Sequence, residues 1–452
     1  MIAIAILSLL QAGNASSVAS TASTTPPATS ASPAPSAQSA PSASSASSAS
    51  STSATQTTAL ELVESAPVET TLDHADLRNV DVVWREMIDG AAQTLDFAEF
   101  YASDVPGSKL GPVVDAVERA AARGVRVRFL AEKKFQVTYP ETLARLARSK
   151  GIEVRLYDMK ALTGGVLHAK YFLVDGSSTY FGSQNFDWRS IEHIQELGMR
   201  VVSREATAAW QGAFDLDWAL AGGAKREDAL KTVHVEGLPI PIGAARHDVG
   251  GATPGSTPLD SAVRERITPV YSPRDLAPDP ALWDLPRIVS LIDGAKRSVR
   301  VQLLTYKMGG RNGEYFDELE SALRRAALRG VSVQLLVADW CMRKGTIDGL
   351  QSLEPLTNVE VKLVTIPQWS GGFVPYARVV HAKYMVVDGA NAWVGTSNWE
   401  RDYFYASRNV GLIVEGGATP KRLDQFFLDG WNGPYAKPVD PCGTYTAPKI
   451  GD

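Results

Sequence analysis

Apolar and polar positions along the chain follow two rhythms, and the same succession of rhythms occurs twice. Period-two or continuous apolar runs at "TLDFAEFY" (94–101), "VRVRFLA" (125–131) and "IEVRLYD" (152–158) predict strands. The 3.6-period stretch "KLGPVVDAVERAAARG" (109–124) predicts a helix that ends at Gly124. The order returns in the second half as strand "SVRVQLLTY" (298–306), helix "EYFDELESALRRAALRG" (314–330), and strands "VSVQLLVAD" (331–339) and "VEVKLVTI" (359–366). Each half closes with a helix, "ATAAWQGAFDLDW" (206–218) and "TPKRLDQFFLDGW" (419–431). Strands alternating with helices of this length imply an α/β protein: two similar α/β/α halves with mainly parallel sheets, packed around a pseudo-twofold axis.

The divisions follow from breaks in the pattern. Residues 1–14 carry a nine-residue apolar run, "IAIAILSLL", about half of what a membrane-spanning helix needs, followed by small residues suited to cleavage. This is the shape of a signal segment, although no basic residue precedes the run, so a chance apolar N-terminus is the alternative. Residues 15–58 are almost wholly Ser, Ala, Thr and Pro, which bury too little apolar surface to fold and predict a disordered linker. The two halves then span 61–221 and 270–452, joined by a Gly- and Pro-rich segment at 222–269. Together these features predict an exported protein, periplasmic or secreted, held on a tether.

Charge and cysteines narrow the picture slightly. The net charge of −5 lies entirely outside the first sixty residues, and a mildly acidic body argues against a protein that coats DNA through many Lys and Arg contacts. The chain has two cysteines, Cys341 and Cys442. In an exported chain they could form a disulfide; the alternative is a buried thiol at Cys341 and an unrelated one in the tail.

The chemistry sits in one repeated sentence. "HAKYFLVDGSSTYFGSQN" (168–185) returns 213 residues later as "HAKYMVVDGANAWVGTSN" (381–398). His168, Lys170, Asp175, Gly182 and Asn185 have the spacing of His381, Lys383, Asp388, Gly395 and Asn398. Residues two apart on a strand share a face, so each imidazole converges with an ammonium. A phosphate suits both: lysine and the asparagine amide donate to its oxygens while histidine stands beside phosphorus. Metal ligation fits poorly, because lysine beside each histidine repels a cation and neither copy holds the Cys or His pairs of a zinc site. No cofactor is expected. The unrepeated His74, His193, His234 and His247 are read as ordinary polar residues.

These motifs resemble the paired H-x-K-x4-D signatures of the phospholipase D superfamily, and the resemblance extends over nearly everything after residue 60. "LTGGVLHAKYFLVD", "GSQNFDWRS", "QELG", "PYARVVHAKYMV", "GTSNW", "GWNGPY" and the early "LVESAP" look most like the animal endolysosomal phospholipase D-like proteins. That resemblance implies a metal-independent phosphodiesterase, known in those relatives as a 5′-to-3′ exonuclease on single-stranded nucleic acid, with lipid transphosphatidylation as the alternative. It implies that one neutral histidine forms a phosphohistidine and the other, protonated, serves as general acid and then base. Lys170, Lys383, Asn185 and Asn398 would stabilise the transition state. Asp175 and Asp388 would position lysines or loops without touching substrate.

One asymmetry bears on which histidine attacks. Relatives often place a carboxylate 28 residues after each histidine; here the residues are Glu196 and Asn409. Such groups can act across the halves, and a carboxylate behind an imidazole favours its protonated form. Glu196 behind His381 would make His381 the acid and His168 the nucleophile. For substrate contacts, Trp188 and Trp399 could stack bases and Arg189 could meet a phosphate, beside Arg401, Tyr403, Phe404 and Tyr405. For a lipid surface the candidate is "WSGGFVPY" (369–376). No protein partner is predicted, and a homodimer is left open.

Overall fold

Each histidine-bearing segment ends in a hairpin, and the two hairpins shape the sheets. Asp175 and Gly176 both have positive φ (51° and 60°), as do Asp388 and Gly389 (57° and 63°). In each, the residue after the glycine closes the turn, Ser177 N to Val174 O and Ala390 N to Val387 O, both at 3.0 Å. This is the Asp-Gly primed turn whose twist suits antiparallel strands. The computed structural model describes residues 59–231, 238–242, 265–310 and 314–451. The signal segment, the linker and most of the connecting segment lie outside the described residues, as do His234 and His247.

The first sheet has the order 78–79, 59–65, 196–202, 178–182, 171–174, 94–99, 126–132 and 152–157; the second repeats the seven strands from 59–65 onward as 265–272, 409–415, 391–395, 384–387, 298–303, 332–338 and 359–364, with 240–242 and 436–438 at its edges. In both, three consecutive strands linked through helices run parallel, 94–99, 126–132 and 152–157 in the first and 298–303, 332–338 and 359–364 in the second. The motif strands pair antiparallel with one another and with their neighbours. The sheets are therefore mixed rather than mainly parallel. The reason is local: a two-residue Asp-Gly turn can join only antiparallel strands, whereas parallel pairing needs a crossover.

The helices form where the apolar period requires, at Gly111–Ala122 and Glu318–Leu328, and both stop before glycines with positive φ, Gly124 (93°) and Gly330 (84°). They and the helices Val80–Asp89 and Asp284–Gly294 fill an outer core in each half. The closing helices Arg204–Ala221 and Thr419–Asn432 bury Trp210, Phe214, Phe426 and Phe427 in a third core shared by both halves.

The halves meet along two bonded bridges placed symmetrically. His168 N donates to Arg408 O (2.9 Å) and Arg408 N to Val166 O (2.9 Å). The counterparts are His381 N to Gln195 O (2.8 Å) and Gln195 N to Val379 O (3.0 Å). Every residue in the second set is 213 positions from its mate in the first, the pseudo-twofold relation at the level of single bonds. Gly165 makes this approach possible: a Cβ there would lie 2.3 Å from the backbone of Ala406. A buried ion pair holds the same seam, with Arg408 Nη2 and Nε each 2.7 Å from Asp217 and Nη2 also 2.8 Å from Leu276 O.

No disulfide joins the cysteines. Cys341 is buried with Sγ 3.5 Å from Leu304 O, and burial pushes its thiol up to about 12, while Cys442 is exposed in the C-terminal segment.

Candidate active site

His168, Lys170, His381 and Lys383 are all buried at the seam between the halves, and each lysine Nζ donates to the carbonyl of the histidine two residues before it. The bridges described above place the two histidines on adjoining edges. Both imidazoles are held well below the ordinary range, first by burial and then by the charges of both lysines. Burial also lowers Lys170, and brings Lys383 down to about 7. Two lysines, which are cations in water, and two imidazoles thus share one buried site, an arrangement suited to an anion.

The supports behind the two imidazoles differ, and both cross the seam. His168 Nδ1 lies 3.0 Å from Asn409 Oδ1. Asn409 Nδ2 donates to the carbonyls of Tyr403 (2.8 Å) and Ser407 (3.3 Å), which can only accept, so its oxygen faces the ring. That oxygen also accepts from Thr396 Oγ1 (2.9 Å). His168 therefore carries its hydrogen on Nδ1 and presents Nε2 as a lone pair. His381 Nδ1 instead lies 2.7 Å from Glu196 Oε2, and Ser190 Oγ donates to the other carboxylate oxygen at 3.0 Å. Burial raises Glu196 to about 7 while His381 is lowered; the opposed directions describe one proton held between Nδ1 and Oε2.

The other expected residues divide. Asn398 Oδ1 accepts from Thr305 N (3.2 Å), and Asn185 Oδ1 is buried without a partner among the described residues. Asp175 accepts from the amides of Ala92, Gln93 and Thr94 at 2.7–2.8 Å. Asp388 does the same for Lys296, Arg297 and Ser298 at 2.7–2.9 Å. Each carboxylate pins the start of the strand beside its motif and faces away from the cavity chemistry.

Arg189 is not available to a phosphate. Its guanidinium is buried against Asp187, with contacts of 2.5–3.2 Å to both carboxylate oxygens, because Asp187 caps the short helix that Arg189 begins to wind. Trp399 is wholly buried in the second core beside Tyr306 and reaches no substrate. Trp188 remains half-buried at the surface of a hollow. Arg401 pairs with Glu314 (3.3 Å) and lies over Tyr405.

Several residues had no clear signal. Thr396 and Ser190 orient the groups behind the imidazoles, and their small hydroxyls look like any turn residue in sequence. Phe100 and Tyr403 stand edge-on to His168, at 4.9 and 4.7 Å between ring centroids. Glu99 continues the strand register opposite Lys170 (Ala98 pairs Tyr171), where the second half has Leu303 opposite Lys383 (Gln302 pairs Tyr384). Burial raises Glu99 well above the carboxylate range. A comparison of the two "strand-then-turn" segments, "DFAEFY" (96–101) against "RVQLLT" (300–305), is the signal that would have found it.

Two imidazoles in different bonding states beside two lysines define a phosphodiester-cleaving site in a doubled α/β fold. The chain belongs to the phospholipase D superfamily: the family described as "Cardiolipin synthase, PLD-like domain" matches residues 84–218 and 288–431, one segment in each half. It is similar to the 5′-3′ exonuclease PLD4 of Mus musculus, at 32% identity over 390 residues, 79% of this chain and 74% of the relative. It is similar also to the virion nicking-joining enzyme of Vaccinia virus (strain Western Reserve), at 30% identity over 84% of this chain and 89% of the viral protein. Among solved structures, the phosphatidylserine synthase of Haemophilus influenzae shares the fold, with a TM-score of 0.53 at 11% identity over 79% of this chain and 85% of that one. The protein is a phosphodiester hydrolase.

Proposed function

We propose that this hydrolase is a 5′-to-3′ exonuclease on single-stranded nucleic acid that works through a phosphohistidine. The observation that carries the mechanism is the unequal support of the two imidazoles. His168, neutral with its hydrogen on Nδ1, attacks phosphorus through Nε2; the N–P bond forms as the bond to the leaving oxygen breaks, and His381 gives that oxygen its proton from Nε2. Water then attacks, His381 takes a proton from it, the N–P bond breaks, and a phosphomonoester leaves with both imidazoles restored. Lys170, Lys383, Asn185 and Asn398 hold the nonbridging oxygens, and the anion supplies the charge that keeps both lysines protonated.

The choice of nucleic acid is supported by an aromatic row leading from the nucleophile. Phe100 beside His168 contacts Phe135 (4.5 Å) and Tyr101 (5.5 Å), and Tyr101 stacks on Tyr139 (4.8 Å). Such faces accept successive bases. The segment considered for lipid contact is held to the body: Ser370 N donates to Glu69 (2.9 Å), Tyr376 N to Ile450 O (2.6 Å), and Lys449 covers Phe373 (4.2 Å). The apolar N-terminal run and the tract after it support an exported enzyme on a tether.

The test is incubation in EDTA with a single-stranded oligonucleotide that has a free 5′ hydroxyl and a 3′ label, with His168→Ala as control. Shortening from the 5′ end that vanishes in the variant is the expected result. An inert oligonucleotide, with headgroup release and transfer to added alcohol on a phospholipid panel, would replace the substrate by a lipid.

A further inference from the structure

A hollow of about 300 Å³ opens beside the site, lined by Trp188, His193, Trp369, Val68, Gly107 and Glu192. This is the small end of ligand pockets, room for one ring system. Its aromatic residues are in mutual contact: the His193 ring lies 5.3 Å from Trp188 at 86° and 5.0 Å from Trp369 at 57°. Both indoles are half-buried, while His193 is 3% exposed and its Nδ1 has no hydrogen-bond partner among the described residues. A buried ring nitrogen left unpaired costs free energy, so the fold holds this ring as a wall between the two indoles at some cost.

The walls are fixed before anything binds. Arg378 ties the two edges, Nε to Pro367 O and Nη1 to Val68 O, each at 2.7 Å. Val68 N donates to Glu192 O (2.9 Å), and Glu69 holds Ser370 next to Trp369. The hollow also has an address relative to the chemistry. Arg378 N donates to His193 O (2.9 Å), and three residues after Arg378 and two after His193, His381 N donates to Gln195 O. The hollow therefore adjoins the acid histidine, whereas the Phe100 row adjoins the nucleophile.

We infer that this hollow is a nucleobase subsite on the leaving-group side of the phosphorus, taking the base of the nucleotide whose 5′ oxygen departs. The inference rests on the nuclease reading and deepens it. Indole faces stack on a heterocycle of any sequence; an acyl chain has no face to stack. Burial holds His193 down at about 4, so the wall between the two indoles is a neutral ring. A row at the nucleophile and a separate hollow at the acid would grip the strand on both sides of the scissile bond, and such positioning is a main source of rate in a site of this kind.

The experiment compares the parent enzyme with Trp369→Ala and Trp369→Phe, a half-buried position outside the helices and sheets and so least disruptive to folding. The substrates are single-stranded oligonucleotides made abasic in turn at the first, second or third nucleotide. Trp369→Ala is expected to lower kcat/KM on the normal strand by about 5- to 100-fold, the range for loss of one stacked base, with Trp369→Phe restoring most of it. Removing the base just after the cleaved bond should bring the parent down to the rate of Trp369→Ala and erase the difference between them, whereas removing either of the others should leave that difference in place. Equal rates for parent and Trp369→Ala on the normal strand, or a difference between them that is erased by removing a different base, would overturn the subsite while leaving the exonuclease in place. An enzyme that releases lipid headgroups and leaves every oligonucleotide intact would overturn both.

Discussion

Glu196 belongs to the first half and His381 to the second, yet Oε2 of one lies 2.7 Å from Nδ1 of the other. In the proposed mechanism the acid is thus built from both halves. If Glu196 keeps a proton on His381, Glu196→Gln lowers kcat on an oligonucleotide by about 10²-fold or more, the scale of general-acid catalysis. A nitrophenyl phosphodiester, whose leaving group needs no proton, should recover most of that loss. His168→Ala should stay inactive on both substrates, and a variant that loses equally on both would remove His381 from the acid's role.

Asn409 behind His168 is a neutral support, and Asn409→Asp makes it a charged one. A carboxylate 3.0 Å from Nδ1 stabilises the imidazolium, so the nucleophile's pKa rises by about one to three units. The acid limb of the kcat/KM profile should therefore move to higher pH, with activity near neutrality falling. An unmoved limb in a pH titration would contradict the assignment of His168 as the attacking base.

The cavity holds its cations at a cost to stability. Burial lowers Lys383 to about 7, whereas an unfolded lysine titrates near 10.4. Between those values the unfolded chain binds a proton that the native enzyme does not, so stability rises with pH across that window and the deficit is full below it. The two histidines, also lowered, add a loss as pH falls below about 6.5. Lys383→Met should abolish activity yet stabilise the ligand-free fold at pH 7 by about 1–3 kcal/mol and flatten its rise toward pH 10. Denaturant melts across pH check both.

Arg408 and Asp217, wholly buried, bolt the halves beside the nucleophile. Arg408→Met leaves Asp217 without compensation and should cost about 3–5 kcal/mol. Adding Asp217→Asn should return part of it, since the orphaned charge is then gone. Coupling of this kind in a double-mutant cycle by chemical denaturation distinguishes a bolt from two independent polar residues.

Much of this molecule is legible along the chain because its rules are local. Period-two and 3.6-period runs mark strands and helices within a residue or two, as at Arg126–Glu132 and Gly111–Ala122. The spacing of His168 and Lys170 suggests a shared strand face, but both precede the strand that begins at Tyr171, as His381 and Lys383 precede the one at Tyr384; the repetition is what reveals two halves of one site. Even the mixed sheets were written in the two Asp-Gly pairs, whose positive-φ turns outweigh the α/β alternation that suggested parallel pairing.

Tertiary structure decided what depends on residues far apart. Glu196 and His381 are 185 positions apart, and Asn409 and His168 are 241, so the packing of the halves alone settles which support backs which imidazole. The fates of Arg189 and Trp399 were likewise invisible locally: a guanidinium two residues from an aspartate, or an indole after a motif, reads the same whether it meets solvent or a core. Trp188 and Trp369 were separate aromatics until the fold set both against His193. Side-chain periodicity tells a residue which way to face; only the packed chain supplies what it faces.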